Sequence, residues 1–295
     1  RQMCIRDRWS TVRAARRTPR GRRTRGHGGR RAATSPSSRA SGHVAVGHLD
    51  LDIKGDVTVL FHLSGDAGWC GLHLSGKIHP NANFGFGFIN ELDQTTKLLR
   101  CDDWLLERDA SFDHATLSVG GFNCKSDLRC TLNGTGSSIR QSVTAHGQGA
   151  RHDDHHIEIH HLHGNTNSNL VTNAACAGSS HFVATGLLTI AEGADGTDAG
   201  QVFRNLLLSE KARAEAIPEL EVLADDVSAA HGAASAPIDP AQLHYLMSRG
   251  LSPEESESMI VNGFLIDAFS NLKNESLTEQ MRTRLTVHLE CELKR

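Results

Sequence analysis

Between residues 152 and 163 the sequence places His152, Asp153, Asp154, His155, His156, Glu158, His160, His161 and His163. Imidazole and carboxylate at that density are ligand chemistry for zinc or another borderline metal ion. As a strand, the run would set His156, Glu158 and His160 on one face and Ile157 and Ile159 on the other. Ligands in one row stand about 6.5–7 Å apart, too spread for a tetrahedral shell unless a second element contributes. The run therefore reads first as a solvated polar face. A lone His231, followed by Gly232 and Ala233, closes a strand-like stretch that begins at Leu220. By chemistry alone it is a structural imidazole or a metal- and proton-handling one, and both readings stay open.

Other reactive groups are scattered. The seven cysteines (4, 70, 101, 124, 130, 176 and 291) include no C-x-x-C pair. A zinc ribbon or a ferredoxin motif is therefore absent, and most of these thiols read as small buried hydrophobes. Gly134-Thr135-Gly136-Ser137 lacks the Gly-Lys-Ser/Thr ending of a phosphate loop, and Gly85-Phe86-Gly87 precedes no helix start. With no G-x-S-x-G elbow and no kinase signature, an enzyme that hydrolyses nucleotide on its own is not expected.

The elements that must hold these groups change character along the chain. Residues 1–40 contain 13 Arg, no Lys and one acid, Asp7, which leaves 18 basic and 33 acidic residues beyond them. A basic, core-less stretch of this kind is expected to be a disordered or non-native segment, here 1–42. It could suggest nucleic-acid binding or a transit peptide, but it has no interleaved aromatic beyond Trp9 and no amphipathic period. No apolar run is long enough to cross a bilayer and no secretory signal is visible, so the expected compartment is the cytoplasm, with neither membrane nor nucleic acid as partner.

From 43 to 236 short alternating runs are closed by Gly, Asn, Asp or Ser. Val57–Leu63, Leu128–Leu132, His156–Leu162 and Phe182–Ile190 are examples, with corners such as Gly120-Gly121 and Asn133-Gly134. This is strand-and-turn grammar without crossover helices, and it suits a sandwich, a barrel or, favoured because hairpin dipeptides are few, a β-solenoid. From 237 to 295 the grammar is helical. Asp239-Pro240, Ser252-Pro253-Glu254-Glu255 and Ser276-Leu277-Thr278-Glu279 read as helix starts. The last opens a helix with Leu277, Met281, Leu285, Leu289 and Leu293 on one stripe. Three such helices must pack on the β domain, on one another or on a partner.

Six motifs in order carry a resemblance: Asn205–Ser209, Pro218–Val222, Ala224–Val227, His231–Ala233, Tyr245–Leu251 and Val261–Phe264. With Glu107-Arg108-Asp109-Ala110, Val119-Gly120-Gly121 and Leu132-Asn133-Gly134 upstream, the chain resembles the SufB/SufD family of iron–sulfur cluster assembly proteins. The resemblance implies a mainly β fold, a right-handed parallel β-helix followed by a small helical C-terminal domain. It implies a non-enzymatic scaffold that pairs with a SufB-like sister subunit, or with itself, and binds a SufC-like ABC ATPase through its helices. No cofactor would be stably bound; a transient iron–sulfur cluster would form at the subunit interface. His-Gly-Ala is most like the SufD branch, while Ile260–Phe264 has a SufB flavour. The resemblance makes His231 the candidate for cluster assembly or metal binding, with Ala229 standing where SufD-type sequences often have Cys. Leu246, Leu251 and Phe264 are the candidates for the ATPase contact. A β-helix enzyme acting on carbohydrate is the competing reading of the architecture.

Overall fold

The chain's structure is a computed structural model that describes residues 3–11, 33–34 and 37–293. Its strands are β1 (Met3–Thr11), β2 (Ala33–Thr34), β3 (Ser37–Ile53), β4 (Val57–Ile78), β5 (Asn83–Leu92), β6 (Lys97–Leu106), β7 (Ser111–Ser118) and β8 (Asn123–Leu132). There follow β9 (Ser138–Gly147), β10 (His152–His161), β11 (Asn167–Cys176), β12 (His181–Ile190), β13 (Thr197–Leu207), β14 (Arg213–Val222) and β15 (Val227–Pro237). Three helices complete it: α1 (Pro240–Ser248), α2 (Pro253–Asp267) and α3 (Glu275–Leu293), with a 3-10 turn at Ala268–Asn271 between the last two.

From β4 onward, each strand pairs in parallel with the strand two places on, so the chain coils through about seven turns of a β-solenoid. One face stacks β6, β8, β10, β12 and β14; the other stacks β5, β7, β9, β11, β13 and β15. The long strands β3 and β4 pass from one face to the other. β4 bends at Gly65, whose φ of +116° brings it so close to Ala40 that an added Cβ would lie 2.2 Å from the Ala40 carbonyl oxygen. Only glycine fits such a corner. The coil length is not fixed, because the register offset grows from 26 residues at Lys97↔Asn123 to 32 at His181↔Arg213. That drift hides the repeat from a search for sequence periodicity.

The parallel solenoid agrees with the favoured expectation, and the strand-like runs read from the sequence lie on its strands, with His156–Leu162 running one residue past the end of β10. The first residues differ from the expectation of an unstructured segment up to residue 42. Met3–Thr11 lies antiparallel to 45–53, and Ser37–Gly42 is the beginning of β3. The physical reason is that β3 begins the stack and offers a free row of backbone donors and acceptors. Most of the basic stretch, residues 12–32, lies outside the described residues. No helix among the described residues is long and apolar enough to cross a membrane.

Inside the coil an aromatic stack links β5, β6 and β7. Phe84 and Phe112 stack at 5.1 Å, and Trp104 lies 5.1 Å from Phe112 and 5.2 Å from Phe86. Charged residues share this interior. Arg100 donates to Asp102 through Nε (2.7 Å) and Nη2 (2.6 Å), with the Phe88 ring 3.8 Å from its guanidinium carbon. Burial pushes the Asp102 carboxyl above its ordinary range, against the pull of Arg100. Two turns further, Arg151 pairs with Asp153 at 2.5 Å.

The outer face of the β5–β15 sheet is not left to solvent. Ile89, Ala115, Leu117 and Ala175 point outward and are buried by Val261, Leu265, Phe269, Leu277, Met281 and Leu285. The helices thus pack on the β domain, one of the outcomes their small size requires. Arg284 on α3 grips Glu91 on β5, and His62 Nε2 reaches the same carboxylate at 2.7 Å. The Ser252–Glu255 capping box of α2 forms as read: the Glu255 N–H donates to Ser252 Oγ (3.1 Å) and the Ser252 N–H to Glu255 Oε2 (2.8 Å). The α3 start is different. Asn274, not Ser276, caps it by accepting from the Leu277 N–H at 3.0 Å, because the Asn274 N–H is itself anchored to Asp113 at 2.5 Å.

Four histidines are held neutral by burial. His146 is lowered to about 3, and His155 and His161 to about 4. His114 is pushed well below its usual 6.5, by burial first and then by Arg100. A base with a depressed folded-state pKa adds stability above its unfolded pKa, and that contribution is lost as pH falls toward the folded value. The window therefore opens near pH 6.5 and runs down to about 4, with a slope near 1.4 kcal/mol per pH unit for each group. Asp102 pulls the other way, one group against four. Urea midpoints should fall steadily between pH 6.5 and 4.5; a flat profile would mean that these rings charge without unfolding.

Candidate functional site

The sequence around His231 folds as the last strand because Val227–Pro237 is short, extended and rich in Ala, Ser and Gly. Its interior-facing row, Val227 and Ala229, packs on the coil's core. His231 follows in that row, in register with Gln201 of the turn beneath. Gln201 is fully buried and its Nε2 donates to the Glu219 carbonyl at 2.8 Å. His231 occupies the same column one turn later and is exposed, since no further turn covers it.

The end of the solenoid is thus open. β14 and β15 each have a paired edge toward the body and an unpaired edge away from it. Pro218, which cannot donate to a ladder, is tolerated on this terminal strand. Ala214, Ala216 and Leu220 of β14 are only partly buried, and Ile217, Val222 and Leu223 are exposed. Charge at this end is acidic: Glu219, Glu221, Asp225 and Asp226 lie on or beside β14. Natural solenoids cover such ends with a cap, because an open edge with an apolar interior invites pairing.

No cysteine lies on β13, β14 or β15. Burial raises the thiols of Cys70 and Cys176 to about 11, that of Cys124 to about 12, and that of Cys130 further still. These four remain protonated, as expected for packing residues. His231 can offer one neutral imidazole to a metal ion, and iron–sulfur clusters are held chiefly by several thiolates.

The three proposed contact residues separate. Leu246 on α1 and Leu251 after it are half-buried, on a helix that buries none of its residues. Tyr245 and Met247 beside them are exposed. Phe264 is half-buried against the helix–sheet core, and its carbonyl accepts from Asn173 Nδ2 at 2.7 Å. The histidine run forms β10 with His156, Glu158 and His160 on the outer face, as read. Glu158 accepts from His156 (2.8 Å) and pairs with His160 (3.2 Å) and Arg129 (3.2 Å), a solvated network. The inward row of β10 was missed: Asp153, His155 and His161 are buried. Alternation located that row, but the expectation that charges face solvent misassigned its contents.

Fold and site define a parallel β-solenoid with one helix-covered face and one open end carrying a histidine. The family model described as "SUF system FeS cluster assembly, SufBD core domain" matches residues 42–264. The chain belongs to that SufBD family. It is 29% identical over 245 residues to the iron–sulfur cluster assembly protein SufD of Escherichia coli, covering 81% of this chain and 57% of that one. The SufD protein of Bacillus subtilis is 29% identical over 202 residues, 68% of this chain and 46% of that one. SufB of Bacillus subtilis is 31% identical over 177 residues, 60% of this chain and 38% of that one. The chain thus spans about half the length of the curated relatives it matches.

Proposed function

We propose that this chain is a non-catalytic scaffold subunit of a cytoplasmic Suf-type iron–sulfur assembly complex. Its open solenoid end pairs with a SufB-like sister subunit, or with a second copy, and the nascent cluster is built at that junction with His231 as this chain's contribution. The observation that carries the reading is the uncovered terminal turn, where an unpaired edge, an apolar interior and one exposed imidazole coincide. A sister chain seated there would complete the sheet and supply the thiolates this end lacks. A SufC-like ATPase engages the helical region. Leu246 and Leu251 are the better contacts, because no residue of α1 is fully buried in its own protein, and Phe264 has a packing role besides.

The test is co-expression with SufB- and SufC-type proteins and purification through a tag on this chain. A stable complex is expected. His231→Ala should leave that complex intact and change stability by no more than about 0.5 kcal/mol, as for other exposed sites. Its cluster absorbance after anaerobic reconstitution should drop at least tenfold. Unchanged cluster yield would remove His231 from the chemistry, and failure to bind either protein would overturn the scaffold reading.

A further inference from the structure

The outer face of the β6–β14 sheet, opposite the helices, carries a second set of metal-ligand types. His73 on β4 and Cys101 on β6 are register partners on adjacent strands, and Asp103 stands two residues beyond Cys101 on the same face. One donor atom from each of the three lies within 4.8 Å of the others. His73 Nε2 and Asp103 Oδ2 already sit 2.9 Å apart. This arrangement removes the obstacle that a single strand presents. Ligands along one strand are spread by about 7 Å, whereas neighbouring strands bring two donors to about 4.8 Å and the third follows by rotating a side chain.

The surroundings favour a cation. The ring of His48, on β3, stacks on His73 at 4.8 Å with the planes 12° apart. Asp127 on β8 is the register partner of Cys101 on its other side. Its Oδ1 is shielded from solvent and accepts no hydrogen bond.

We propose that His73, Cys101 and Asp103 form a three-ligand site for a divalent first-row transition-metal ion, with Zn2+ the best fit. One imidazole, one thiolate and one carboxylate are a borderline donor set. Zinc takes S, N and O ligands at about 2.3, 2.0–2.1 and 2.0–2.2 Å in tetrahedral geometry. Thiolate and carboxylate together neutralise the ion. Water or His48 takes the fourth position. Binding replaces the Cys101 proton with the metal, and it clasps two successive turns of the coil. This site is on another face and at other turns than His231, and it does not depend on the assembly reading.

The test uses the full chain, stripped with a chelator and titrated with Co2+ alone. Saturation at one equivalent is expected, with a thiolate-to-cobalt charge-transfer band in the near ultraviolet that Zn2+ then abolishes. Cys101→Ser, a nearly isosteric change, should eliminate the band. His73→Gln should weaken binding at least tenfold, and circular dichroism should show both variants folded. A Cys291→Ser variant should keep the band, since that exposed thiol lies on α3 and is not part of the site. No saturable band, or a band that survives Cys101→Ser, would overturn the proposal.

Discussion

Replacing Asp102 by alanine is expected to cost about 3–5 kcal/mol of stability, read from urea unfolding of the purified chain. Asp102 and Arg100 have no exposed side-chain surface. Removing the carboxylate leaves the guanidinium charged, out of reach of water and without its two shortest hydrogen bonds. The Trp104 indole N–H, which donates to Asp102 at 3.2 Å, loses its partner as well. A buried ion pair is costly to break and much cheaper to replace as a whole. The Arg100→Met/Asp102→Leu variant should therefore recover most of the lost stability. A single variant that loses less than 1 kcal/mol would mean water enters the coil and solvates Arg100.

Truncation after Pro237 is expected to have the second large effect. The sequence alone permits a β domain that folds without its helices. The structure makes the helices the outer layer of one sheet. Val261, Leu265, Phe269, Leu277, Met281 and Leu285 each have no more than 3% of their surface exposed. Each contributes about 1.5–3 kcal/mol of gross burial. Their loss would lay bare Ile89, Ala115, Leu117 and Ala175 as one apolar patch on the β5–β15 sheet. Patches of that kind drive association. Light scattering should show the truncated chain aggregating at concentrations where the full chain is monodisperse. A monodisperse, folded truncation would instead assign the helices chiefly to a partner.

How much of this was legible depends on how local each signal is. β10 and β12 announce themselves by alternation, and the α2 capping box lies within four residues. β9 and β11 do not: their small and polar residues are buried on both faces because helices cover the outside, which no window of ten residues reveals. Arg100 and Asp102 sit at inward positions of β6, where charge normally argues for the outward face. His231 was found through motif resemblance, and its exposure follows only from its strand being the last in the stack. His73 and Cys101 meet because the register of one turn places them side by side, and that register drifts along the coil.

The uncovered last turn also sets a gradient of motion. In a solenoid each turn is stabilised mainly by its two neighbours, so an end turn with one neighbour opens most easily. Amide hydrogen exchange should therefore be slow in β6–β10, around the aromatic stack, and quicken toward β14 and β15. A partner seated on that end would supply the missing neighbour. Protection should then rise selectively in 213–237 while the middle turns keep their rates. The terminal strands would thus report whether the end is engaged, from backbone amides alone.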